Sequence, residues 1–329
     1  MKKIFSYGLT VLLLLTVALA GCGGNHSSTP TSTKIYAATI GGLSISSDGG
    51  TTFVNRTTTE GLGSNIVHSI YVSGGKIYVA TEGGLSISTD GGTSFVNKTN
   101  GLGSNVVTDV YVSGGKIYAA TSGGLSISSD GGASFDNTTH EAKTGLGSNQ
   151  VNAVYVSGGK IYAATSGGLS ISSNDGASFV NRTSTYYDLA SDSVIDVYVS
   201  GGKIYVATSG GLSISSDESG TSFVMKTFTL GATTYSVNGV CVSGGKIYAA
   251  TSGGLSISSD GGETFVDKVF TDESEETLYG VYRVYVSGGK IYASTEGGLF
   301  ISGDGGTSFV KKTTDNGLGS NEVYRVYVQ

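Results

Sequence analysis

Two dipeptides, Tyr282-Arg283 and Tyr324-Arg325, place two of the chain's four arginines beside aromatic rings. A planar guanidinium fork next to a tyrosine suits a carboxylate, a phosphate or a sugar. The same fork is equally satisfied by an acid of the chain itself, such as Asp109 or Glu296, and surface pairs of that kind are common. Asp109 and Asp196 are the acids at comparable positions. Glycoside hydrolysis needs an acid/base carboxylate and a second carboxylate at a set separation, which sequence does not supply. His68, Asn152 and Asn238 occupy matching places in other parts of the chain. Tyr186, Tyr187 and Tyr235 lie in irregular segments, where they suit stacking on sugar rings as well as anchoring a loop. Five aspartates, Asp48, Asp90, Asp130, Asp260 and Asp304, each sit in a glycine turn closed by Phe. Calcium takes six or more oxygens and each turn offers one or two carboxylates, so these aspartates read as structural staples, and no metal or cofactor is expected.

The elements that position these residues follow from internal repetition. Lys-Ile-Tyr recurs at Lys34, Lys76, Lys116, Lys160, Lys203, Lys246 and Lys290, at spacings of 42, 40, 44, 43, 43 and 44 residues. One unit, Asn105 to Thr138, reads NVVTDVYVSGGKIYAATSGGLSISSDGGASFDNT. It holds four short runs rich in β-branched and aromatic residues, separated by glycine turns, with no helical periodicity. Four strands in roughly 40–45 residues is the size of a propeller blade. The chain enters at a second strand, at Lys34, and ends on an orphan first strand, Val323 to Val328. Only a ring makes use of both ends, because the last strand can then pair with Lys34 to Thr39. The sequence therefore predicts an all-β fold, a seven-bladed propeller of four-stranded antiparallel blades closed by the C-terminal strand over residues 34–329.

The turn Ser46 to Phe53 fits Ser-x-Asp-x-Gly-x-Thr-Phe and resembles the Asp-box, or BNR repeat, of sialidase-like propellers. The fourth copy carries Asn174 at the Asp position, and the fifth has an extra residue around Asp217. The remainder of the unit, GLGSNVV…VYV…GGKIYAATSGGL, is similar to the propeller repeats of two-component-regulator sensor domains. The Asp-box resemblance implies that these turns sit on the face away from the site. It also brings a sialidase-like arginine cluster into question, because the family's Arg-containing motif has no counterpart before the first turn.

Near-identical copies act as their own control: scaffold positions repeat, and a specific site must break the pattern. The breaks gather at a pair in the middle of each first strand, from His68-Ser69 to Tyr324-Arg325, and in the connections between blades. Four connections keep Gly-Leu-Gly-Ser-Asn, while 184–193, 228–236 and 270–280 do not, and His140 to Lys143 is an insert. Propeller topology puts the pair and the connections on one face, the candidate binding face.

Lys2-Lys3 followed by the apolar run Leu9 to Ala20 reads as an export leader too short to span a bilayer. Leu19-Ala20-Gly21-Cys22 resembles the bacterial lipobox, which implies cleavage after residue 21, a lipidated Cys22, and a place in the cell envelope, at the outer membrane in a Gram-negative cell. Residues 22–33 read as a flexible Gly/Ser/Thr tether. Cys241 replaces a strand tyrosine and is expected to be buried. Losing Lys2 and Lys3 with the leader takes the formal charge from −6 to −8. An acidic surface with no basic cluster disfavours nucleic acid as a partner. The expected function is a non-enzymatic binding or scaffold module, monomeric and membrane-attached through lipid only, for a protein or glycan ligand. The alternatives are a sialidase-like glycoside hydrolase and the sensor input of a separate signalling partner.

Overall fold

Each Lys-Ile-Tyr run becomes a strand with no solvent-facing side. In Lys116–Thr121 every residue after the lysine is buried. Its central alanines are small enough for neighbouring sheets to press on both faces, so the run is continuously apolar instead of alternating. The computed structural model of the chain describes residues 33–141, 145–230, 233–271 and 278–329. The expected leader, Cys22 and the tether up to residue 32 lie outside these residues, as do parts of the 140–143 insert and of the 270–280 connection.

The strand Lys116–Thr121 is second in an antiparallel sheet ordered Val107–Ser113, Lys116–Thr121, Gly124–Ser128, Asp136–Thr138. Seven such sheets form, and a small hairpin, Phe228–Leu230 with Thr233–Tyr235, lies in the connection between the fifth and sixth. The first strands touch one another in sequence around the molecule, and the circle is completed by contacts of Val323–Val328 with both Val281–Ser287 and Val67–Ser73. Ile35 pairs with Val328, Tyr36 with Tyr327, Ala37 with Val326 and Ala38 with Arg325. Lys34 and Gln329 exchange both backbone hydrogen bonds at 3.0 Å. The fold is a seven-bladed β-propeller closed by its C-terminal strand, as the repeats require.

The core is a set of wedges between blades. Between the first and second, Tyr36, Ala38 and Leu43 meet Val67, Ile70, Ile77, Val79 and Phe95. The connections weld the same seams: the Gly63 N–H donates to Ser86 Oγ at 2.9 Å, and Gly103, Gly147 and Gly319 make the equivalent bond. Serine in the middle of an otherwise buried strand is therefore satisfied.

The aspartate turns close on themselves. Asp48 accepts from the N–H of Thr51 (2.9 Å) and Thr52 (3.0 Å), from the Thr52 hydroxyl (2.6 Å) and from Ser46 Oγ (2.7 Å). Asp90, Asp130, Asp260 and Asp304 repeat the pattern. The hydroxyl and N–H at the Thr52 position, then Ser46, hold the Asp48 carboxyl well below the ordinary carboxylate range, and the other four behave alike. Asn174 keeps two of these bonds through its amide oxygen and adds one from its NH2 to Ser178. The turn glycine needs its freedom at Gly92, where φ is 92° and an added Cβ would lie 2.7 Å from Ile45 Cδ1 of the preceding blade.

Candidate functional site

The variable pair in each first strand does not alternate as pleated residues do. Val67 faces Thr81 and Ser69 faces Ala80, leaving His68 as the extra residue of a β-bulge. The same slip occurs at Thr108, Asn152, Ile195, Asn238, Tyr282 and Tyr324. A bulge re-aims side chains and raises local twist. Here the extra residues gather at the mouth of the central channel. A cavity of about 240 Å³ is lined there by His68, Thr108, Ile195, Asn238, Tyr282 and Tyr324, with Arg283 and Arg325 at its base.

The second members of the pairs form the next layer, in blade order Arg325, Ser69, Asp109, Ala153, Asp196, Gly239, Arg283. The order is nearly mirror-symmetric about Ala153, and the bonds follow it. Arg325 Nη1 donates to Asp109 Oδ1 at 2.6 Å, two blades away, across Ser69, whose hydroxyl donates to the same oxygen at 2.6 Å. Asp109 also accepts the N–H groups of Val110 and Val154. Arg283 Nε lies 3.6 Å from Asp196 Oδ2, again two blades away, across Gly239. A Cβ on Gly239 would sit 2.7 Å from Arg283 Cδ, so the small residue is what lets the arginine pass. Asp109 and Asp196 are 2% and 6% exposed, and each lies against an arginine guanidinium. Burial pulls Arg283 below its ordinary pKa against the pull of Asp196, whereas for Arg325 the attraction of Asp109 and Asp196 outweighs burial. The two arginines thus meet acids of the chain itself, Asp109 as the sequence allowed and Asp196 in place of Glu296.

Asn152 and Asn238 are spent on blade-to-blade ties. Their NH2 groups donate to the carbonyls of Val194 (2.7 Å) and Val281 (3.0 Å), as Thr108 Oγ1 does to Val151. The opposite side of the mouth is aromatic. The ring of Tyr324 lies 5.6 Å from His68 and 5.5 Å from Tyr282, and Tyr282 donates to Glu322 Oε1 at 3.3 Å. His68 Nε2 is buried with no hydrogen-bond partner and is 3.9 Å from Glu82. Burial lowers the His68 pKa, and Glu82 opposes that shift.

Deeper in the channel, Tyr71, Tyr111, Tyr155, Tyr198, Tyr285 and Tyr327 form a collar, with neighbouring centroids 4.7–5.6 Å apart. The fully buried Cys241 takes the seventh place. Burial pushes the Tyr327 phenol up to about 12. The collar encloses about 80 Å³. The sequence carried its signal, a tyrosine at one strand position in six copies of seven, but only as repetition.

Of the loop tyrosines, Tyr186 is 81% exposed. Tyr187 lies under the Arg182 guanidinium, 4.5 Å from ring centroid to Cζ, and Tyr235 covers Gly253, where an added Cβ would be 2.5 Å from its ring. Both anchor their loops. Segment 184–193, divergent in sequence, keeps the common frame. Asp188 takes the left-handed position with φ 59°, Leu189 is buried, and the Ala190 N–H donates to Ser213 Oγ at 2.9 Å.

Among the described residues no cluster of metal-ligating side chains occurs, and no helix is long and apolar enough to cross a membrane. No family profile and no curated protein matches this sequence. Solved structures do resemble the fold. The extracellular domain of a candidate hybrid two-component system from B. thetaiotaomicron aligns with TM-score 0.68 at 21% identity, over 84% of this chain and 39% of that one. A YCF48 structure bound to D1 peptide aligns with TM-score 0.61 at 16% identity, over 83% and 92%. A GH74 xyloglucanase from Xanthomonas campestris aligns with TM-score 0.63 at 15% identity, over 87% and 52%. This chain therefore spans well under half of the two-component chain, and at these identities the likeness is one of fold. By its own topology, and in company with these structures, the chain is a seven-bladed β-propeller.

Proposed function

We propose that the chain is an exported propeller, lipid-anchored through Cys22, that acts as a non-enzymatic binding or scaffold module for a protein or glycan at the channel mouth. The observation that carries this reading is where the copies disagree: the bulge residues that differ between copies are all half-buried and gather around one cavity, and the aromatic ones, His68, Tyr282 and Tyr324, fall on three adjacent blades at that mouth. The aspartate turns, Asp-box-like in sequence, satisfy themselves at the other end of the sheets and serve as scaffold. Hydrolysis finds less support, because Asp109 and Asp196, the acids in the layer below the mouth, are buried and engaged by Arg325 and Arg283. Fold neighbours that include an extracellular signalling domain and a peptide-bound propeller fit an exported binding role.

The test is a glycan and peptide array probed with residues 23–329, which contain every propeller strand. Binding abolished by Tyr282→Ala with Tyr324→Ala supports the reading. Binding untouched by that pair overturns the assignment of the mouth. Turnover of a fluorogenic aryl glycoside that is lost with Arg283→Ala and Arg325→Ala overturns the non-enzymatic role.

A further inference from the structure

We propose that the channel mouth is a blind, end-on site for one neutral sugar residue at the tip of a glycan; this rests on the mouth being the binding face and names its ligand. The site has a floor. Arg283 and Arg325 line both the mouth cavity and the chamber inside the tyrosine collar, and so stand between the two. One side is walled by rings, where Tyr324 lies 5.6 Å from His68 and 5.5 Å from Tyr282. A cavity of about 240 Å³ is smaller than the roughly 300–1,000 Å³ of ordinary small-molecule sites, so it admits the end of a ligand and not a chain lying across it.

One group on the floor still has hydrogen bonds to give. Thr108 and Asn238 spend their side chains on backbone carbonyls of the next blade, and Arg283 spends Nη1 and Nη2 on the carbonyls of Tyr282 (3.1 Å) and Ile195 (3.3 Å). Arg325 differs. The bond from its Nη1 to Asp109 is the only one it makes among the described residues, although its side chain is 29% exposed and carries a whole fork of N–H donors. A half-buried donor edge without an acceptor marks a place for ligand oxygens. Those oxygens belong to an uncharged molecule. The lining arginines are already matched by Asp196 and Asp109, and burial holds His68 toward its neutral form, so the lining residues and their partners carry no surplus of either sign. The end of a peptide brings an ammonium or a carboxylate, whereas the end of a glycan offers neutral hydroxyl and ring oxygens on one side and a C–H face on the other. Oxygens toward Arg325 and the C–H face against Tyr324 and Tyr282 satisfy both halves of the site.

Saturation-transfer NMR of the full chain, in a detergent without a sugar headgroup, tests this with the methyl glycosides of glucose, galactose, mannose and xylose, with glucuronate and with glucosamine. At least one methyl glycoside binds, and more tightly than the two charged sugars. Tyr324→Ala weakens it by roughly tenfold or more, as does Arg325→Lys, which keeps a cation for Asp109 but removes the fork. Val266→Ala, on an exposed outer strand, changes it by less than about twofold, and all three variants keep the circular dichroism of the wild type. No methyl glycoside bound, tighter binding of glucuronate or glucosamine, or an equal loss with Val266→Ala overturns the proposal. An array ligand lost on Tyr282→Ala with Tyr324→Ala, with no methyl glycoside bound, overturns the sugar while leaving the mouth as the binding face.

Discussion

Asp109 and Arg325 are 216 residues apart in the chain and 2.6 Å apart in space. Removing one partner of an enclosed pair strands the other charge, which costs about 3–5 kcal/mol. Arg325→Met should therefore lower urea stability by about 3 kcal/mol. Arg325→Met combined with Asp109→Asn should recover part of that, since the new amide oxygen could still accept from Ser69 and Val110, which share one carboxylate oxygen, while its NH2 would face the Val154 N–H. Equal loss in the single and double variants would show that the pair is not coupled. The turn aspartates make a pH prediction. Folding lowers their pKa from the ordinary 3.8, so their contribution is complete above that value and is lost as pH falls through the lower folded values. Thermal unfolding should show a falling acid limb below about pH 4, and substituting Asn for Asp48, Asp90 and Asp130 should flatten it. Asn174 already shows that the turn geometry accepts the amide.

At the scale of elements, the four-strand unit was legible because turn glycines and buried runs recur at fixed phase. The bulge was not. It adds no residue type of its own, and emerges only when Val67 and Ser69 are seen to face consecutive residues, Thr81 and Ala80. The cross-channel pairs were half legible: Asp109 was a natural partner for an arginine, yet which blade it faced depended on Ser69 and Gly239 being small enough to reach over. Segment 184–193 reads as a departure in sequence, but Asp188, Leu189 and Ala190 keep the geometry of Gly-Leu-Gly with different letters. Asp188 carries the mild strain of a left-handed non-glycine residue, so Asp188→Gly should raise stability by about 0.5–1 kcal/mol in a urea melt. A loss would mean that the Asp188 side chain holds the loop.

The whole molecule depends on its closure, and so does the site. Tyr324 stands between Tyr282 and His68 only because the C-terminal strand lies between blades seven and two, and Arg325 ties the same strand across the channel to blade three. Attachment to the membrane is separable from this. Metabolic labelling with a lipid analogue should mark the wild type and fail with Cys22→Ala, and a disulfide between Cys22 and Cys241 found by non-reducing peptide mapping would contradict the anchor. Closure itself is tested most directly by thermal unfolding of the chain ending at residue 322, without Val323 to Gln329. Loss of the single cooperative transition, with broad proteolytic sensitivity beginning in the first and seventh blades, is the expected result. A truncated protein that melts as sharply and as high as the full chain would contradict it.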